Sequence, residues 1–122
     1  ILLPAHFLHS AGNIQVNDAV SKTLFTGDLG ASLLPPDNQY HTVTDFEAHL
    51  QYMEGFHRRY MPSEKICRQW ARMVWNIDVE RIAPQHGAMF EGKAMVKRFI
   101  DWIATLQCGE SLLLARETYR LP

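Results

Sequence analysis

Three short apolar runs in this chain end the same way, in a side chain that can ligate a metal followed by a small or turn residue. They are Phe7-Leu8-His9-Ser10, Leu24-Phe25-Thr26-Gly27-Asp28 and Ile82-Ala83-Pro84-Gln85-His86-Gly87. Apolar runs this short, bounded by turn residues, read as strands. Amphipathic helical stretches lie between the second and the third. Strands mixed with helices in this way confine the chain to a layered α/β arrangement. Loops at strand ends are where such folds place their sites.

The remaining elements follow from local chemistry. Leu2 to Leu8 is a strand candidate with Pro4 at its entry or on an edge, and Gly12-Asn13 is turn chemistry. Ile14-Val16 and Thr23-Thr26 form a hairpin around Asn17-Asp18. From Gly27 to Tyr40 the glycines, prolines, Asp37 and Asn38 predict a loop. Thr44-Asp45-Phe46-Glu47 reads as a capping box. The helix it opens is expected to run to about Tyr60, with Phe46, Leu50, Met53, Phe56 and His57 at helical spacing. Pro62-Ser63 ends it and caps a second helix, Glu64 to Asn76, with Ile66, Trp70, Met73 and Val74 on one face. A strand from Val79 to Pro84 precedes a third helix, Lys93 to Gln107, with Gly109 as its C′ residue. The tail from Ser111 is weakly patterned. The strands are too few to complete a sandwich unaided, which predicts missing partners.

At 122 residues the chain fits one domain or a piece of one. Apolar residues make up 47%, charged residues 20%, and the net charge is -1. No basic stripe marks a nucleic-acid surface, and Arg58-Arg59 reads as a solvated helix face. No apolar run approaches the ~20 residues of a membrane span. Cys67 and Cys108 are far apart in sequence and in no Cys-x-x-Cys pattern, so they read as reduced thiols of a cytoplasmic protein. Ile1-Leu2-Leu3-Pro4 opens in mid-pattern without Met, as the interior of a longer chain would.

A His, a carboxylate and a second His meeting at strand ends would suit Fe or Zn, and one carboxylate can bridge two ions. No thiolate joins the set, which leans away from a cysteine-rich structural zinc. Each residue alone has a plainer reading. A strand-end His is commonly a hydrogen-bonded structural residue, Asp28 could cap a turn, and Gly87 could be only a turn glycine. His6 lies three residues before His9 and, by strand alternation, on the opposite face; it reads as second shell or structural. His57, on the apolar margin of the first helix, reads as a packing His with one satisfied nitrogen that could still reach the site. His41 and His49 read as surface residues. Nothing singles out the hydroxyl of Tyr40 or Tyr60.

Pro4 to Asn13 (Pro-Ala-His-Phe-Leu-His-Ser-Ala-Gly-Asn), Leu24 to Gly30 and Ile82 to Gly87 resemble the oxygen-binding diiron proteins. These are relatives of the diiron domain of flavodiiron oxygen and nitric oxide reductases, within the metallo-β-lactamase superfamily. Phe56 to Met61 and Gly92 to Val96 extend the resemblance over nearly the whole chain. His9 and Asp28 stand nineteen positions apart, and Asp28 and His86 fifty-eight; both intervals match the family's.

The resemblance implies an α/β fold, the C-terminal half of a metallo-β-lactamase-like αββα sandwich, with residues 1–122 as one part of a single domain. It implies His9, Asp28 and His86 as ligands of two irons, Asp28 bridging them, with His6 and His57 as second-shell candidates. The implied function is non-haem diiron binding, sensing or reduction of O₂ or NO, for which both a sensor and a reductase fit. No flavin is expected, so electrons or signals would pass to an external donor or partner. The family's first motif, His-x-Glu-x-Asp-His, does not occur in the 122 residues, and its ligands are expected upstream of Ile1. The piece alone is expected to be inactive and to form homo-oligomers through a bare sheet face. Two other readings stay open. One is a dizinc hydrolase of the same superfamily, disfavoured because Asn13 stands where the Thr-x-Gly-His pattern of such hydrolases has its ligand His. The other is a non-catalytic module with vestigial metal residues.

Overall fold

The computed structural model describes residues 1–114. Five strands form one sheet in the order β1-β2-β3-β4-β5, with β1 Leu2–Pro4, β2 Ile14–Asp18, β3 Thr23–Gly27, β4 Arg81–Pro84 and β5 Phe90–Glu91. β3 and β4 run parallel; the other neighbours are antiparallel. Parallel neighbours need a long crossover. Here it carries α1 (Phe46–Tyr60) and α2 (Glu64–Trp75), and α3 (Lys93–Thr105) and α4 (Glu110–Leu114) follow β5. Among the described residues no helix is long and apolar enough to cross a membrane.

The predicted hairpin is the β2–β3 pair, but it turns at residues 19–22 and not around Asn17-Asp18, which lie within β2 and pair with Leu24 and Thr23. The first run is shorter than expected: β1 ends at Pro4, and residues 5–13 form a hydrogen-bonded turn, with Ala5 N–H to Asn13 O at 3.0 Å and Phe7 N–H to Ser10 O at 2.8 Å. Strand alternation therefore does not govern His6 and His9. The N-cap of α1 is Asp45, whose carboxylate accepts from Ala48 N–H, and not Thr44. Ser63 caps α2 as predicted, accepting from Ile66 N–H. α3 stops at Thr105, so Gly109 is not its C′ residue. β5, two residues long, was not anticipated. The sequence tail from 115 onward lies outside the described residues.

The two faces of the sheet differ. α2 and α3 pack on each other, and Trp70 of α2 donates its indole N–H to Gln15 on β2 at 2.8 Å. Leu24, Ile82, Phe90 and Phe99 are fully buried on that side. α1 joins the layer through Phe46 and His57, whose rings meet Trp102 of α3. On the opposite face Leu2, Val16 and Phe25 stand in register across three strands, with Ile14 beside them opposite Pro4. These four side chains are 43% to 68% exposed. Apolar residues at period two with no cover are the signature of a sheet face built to be packed against.

Candidate metal centre

The β3–β4 pair sets the site. Parallel registry continues past the strand ends, where Gln85 N–H donates to Gly27 O at 2.7 Å and Ser32 N–H to His86 O at 3.2 Å. Ser32 Oγ accepts from Ala88 N–H, 3.3 Å away. The loop after β3 and the loop after β4 are thereby latched together. Gly87 makes this possible: its φ is +84°, and a Cβ there would sit 2.0 Å from Ser32 Oγ and 2.6 Å from Ser32 O. Only glycine tolerates both the conformation and the approach.

Asp28 heads the first of these loops. Thr26 Oγ1 donates to Leu29 O at 2.6 Å, and Ala31 N–H to Asp28 O at 3.0 Å. His57 holds the next residue: Gly30 N–H donates to His57 Nε2 at 2.8 Å, and His57 Nδ1–H donates to Met53 O at 2.7 Å. Both ring nitrogens are engaged, where the sequence suggested one. Burial drives the His57 imidazole down to about 4, partly opposed by the Met53 carbonyl. It is thus a neutral acceptor fixing the Asp28 loop from beneath. With Nε2 committed to Gly30, it is a support for the site and not a donor in it.

Asn13 steadies the third loop by donating its amide to Leu8 O, one residue before His9. The His9 ring packs against Phe56 at 5.6 Å and Tyr60 at 5.8 Å, both on α1. No local pattern singles out these rings for His9, because the contact joins a loop to a helix some fifty positions away.

The outcome is a carboxylate with an imidazole on each side. His9 Nε2 lies 3.0 Å from Asp28 Oδ2, and His86 Nε2 lies 3.7 Å from Asp28 Oδ1. Donors about 2.1 Å from one cation, at angles between right and trigonal, stand about 3.0 to 3.6 Å apart, so the His9–Asp28 pair has a spacing a shared ion accepts and the His86–Asp28 pair lies just beyond it. The imidazoles address different oxygens. Among the described residues no group of three or more His, Cys, Asp or Glu side chains is placed to hold a metal ion. The side chains of His9, Asp28 and His86 are 36%, 33% and 63% exposed, so the cluster is open to further donors.

The three remaining histidines stand elsewhere. His6 is exposed and lines an apolar cavity of about 570 Å³ with Ile66, Gln69, Trp70 and Met73 of α2. His49, expected at the surface, is fully buried: the Tyr40 hydroxyl meets its Nδ1 at 2.7 Å, and burial lowers its pKa. His41 is exposed as expected.

Fold comparison places the chain among metallo-β-lactamase-like domains of the flavodiiron type. The rubredoxin oxygen:oxidoreductase of Desulfovibrio gigas superposes with a TM-score of 0.73 at 13% identity, over 84% of this chain and 26% of that one. A chemotaxis sensor ODP in a peroxy diiron state gives a TM-score of 0.87 at 39% identity, covering 93% of this chain and 48% of that chain. The apo state of the chemotaxis sensor ODP from T. denticola gives 0.84 at 39% identity, with 93% and 47% covered. A family model described as ODP family beta lactamase matches residues 1–87. No curated protein sequence matches. The chain belongs to the ODP family, and it spans about half the length of the sensor structures it matches.

Proposed function

We propose that His9, Asp28 and His86 are iron ligands of a non-haem diiron centre that binds, senses or reduces O₂ or NO, with Asp28 as the bridge. The observation that carries this reading is the placement of one imidazole at each oxygen of a single carboxylate. Such a carboxylate can give one oxygen to each of two ions. Family membership supports iron, since the similar chemotaxis sensor has been captured as a peroxy diiron species. When bound, the iron pair supplies redox chemistry and open coordination positions for the diatomic ligand. The chain's own part is positional: Phe56 and Tyr60 orient His9, the Ser32–Gly87 latch sets His86 beside Asp28, and His57 fixes the Asp28 loop.

Three donors cannot fill two coordination spheres, and the bare sheet face has no cover. Both point to a partner layer. We infer that residues 1–122 are the C-terminal part of one domain, completed by a second sheet that brings the remaining donors and covers Leu2, Val16 and Phe25. An external electron donor or a signalling partner would complete the function. The dizinc hydrolase reading gains no support from the comparisons.

The test is anaerobic loading of the complete domain with ferrous iron followed by exposure to O₂. Iron-dependent uptake of O₂ is expected, and Asp28→Ala should abolish it. Uptake unchanged in Asp28→Ala, or no reaction from a fully loaded wild-type domain, would overturn the assignment.

A further inference from the structure

Cys67 and Cys108, separated by 41 positions in sequence, bring their sulfurs to 3.7 Å in the core. Both thiols are fully buried, on the α2–α3 side and away from the metal loops. Cys67 sits in the second turn of α2. Cys108 follows α3 in a segment without helical structure, where its neighbour Gln107 is exposed.

The approach of the two thiols is built in. Gly109 N–H donates to Arg58 O and Glu110 N–H to Pro62 O, both at 2.9 Å, pinning this segment to the last turn of α1 and the connection that follows it. Ser63, the N-cap of α2, pairs with Gly109 as an isolated bridge. Gly109 has φ +57°, and a Cβ there would lie 2.1 Å from Pro62 O and 2.3 Å from Met61 O. A glycine is therefore required where Cys108 is pressed toward Cys67.

We propose that Cys67 and Cys108 are a modification site, a dithiol oxidised by hydrogen peroxide to an intramolecular disulfide. The Cys108 sulfur attacks one peroxide oxygen; the O–O bond breaks, leaving Cys108 sulfenic acid and hydroxide, which takes up the thiol proton as water. The Cys67 sulfur then attacks the Cys108 sulfur and expels a second water. In sum, two thiols and one H₂O₂ give one disulfide and two waters, with the sulfurs oxidised and the peroxide reduced. A disulfide is about 2.0 Å long, so the sulfurs must close by less than ~2 Å. Either sulfur can donate in the contact between them. The order of attack follows from position: Cys108 lies in the non-helical segment that opens, and Cys67 stays within α2 behind it, its thiol pushed up by the contact with Cys108 and by burial. Access requires opening the segment around residues 107–110, whose hold is a handful of backbone bonds. The proposal does not depend on the metal assignment.

The experiment treats the intact protein with hydrogen peroxide, quenches with catalase, alkylates under denaturing conditions and maps tryptic peptides. The expected product joins peptides 66–68 and 99–116, two hydrogens lighter than their sum and separated by dithiothreitol. In Cys67→Ser, Cys108 should accumulate as a sulfenic acid trapped by dimedone; in Cys108→Ser, Cys67 should stay alkylatable over the same exposure. The wild-type map decides even if a variant fails to fold. Two thiols still free once surface methionines are oxidised, or two separately over-oxidised cysteines with no linked peptide, would overturn the proposal.

Discussion

The same strands present two unlike faces. Toward the helices, Gln15, Leu24 and Ile82 are buried, and the one polar side chain among them is bonded to Trp70. Away from the helices, Leu2, Ile14, Val16 and Phe25 are as apolar but lie open. Alternation along a strand specifies that a face wants cover; it does not specify that the cover belongs to the same stretch of chain. The difference separates what this chain stabilises by itself from what it holds ready for a partner layer.

The strongest way to break this contrast is to truncate one residue on each face. Leu24→Ala should destabilise the chain by about 3 kcal/mol through lost burial and a residual cavity, measured by denaturant unfolding. Its neighbour Phe25→Ser should change stability by only about 0.5 kcal/mol while weakening self-association in sedimentation. Equal costs at 24 and 25 would mean that the outer face is already covered.

A comparable effect belongs to the covered side alone. His57 titrates at about 4 when folded against 6.5 ordinarily. Between those values the unfolded chain holds the proton and the folded chain does not. The stability His57 confers is therefore full above pH ~6.5 and falls as pH drops toward 4, by about 3 kcal/mol. Buried His49 adds in the same direction. His57→Gln should flatten this part of the pH profile, and an unchanged profile would place the acid sensitivity elsewhere.

Smaller again is Gly87→Ala, expected to cost about 2 kcal/mol from its positive φ and the collision with Ser32. Because it forces the two ligand loops apart, it should lower iron affinity of the complete domain more than it lowers the melting temperature. A variant with normal iron binding would show that the latch does not set the site.

Much of this was legible in the residues. Ser63 before an amphipathic run specifies α2 almost to the residue, and the loops at strand ends are where an α/β fold is expected to gather its site, although only Asp28 and His86 leave strands directly while His9 lies in the turn after β1. The rest depended on contacts that no local pattern encodes. Thr44 and Asp45 can both cap a helix, and the choice fell to the residue whose backbone is extended just before the first turn (φ -127°, ψ 107°). His49 looked exposed until Tyr40, in the preceding loop, supplied a buried partner. β5 is too short to carry a period. Cys67 and Cys108 meet only because Gly109 lets the segment after α3 press against the α1–α2 connection.

The diiron assignment rests on Asp28 standing between two ions, and iron content tests that most directly. In the complete domain, wild type should hold two irons per chain and Asp28→Ala should lose the pair while keeping its circular dichroism. Two irons retained per chain in Asp28→Ala would contradict it.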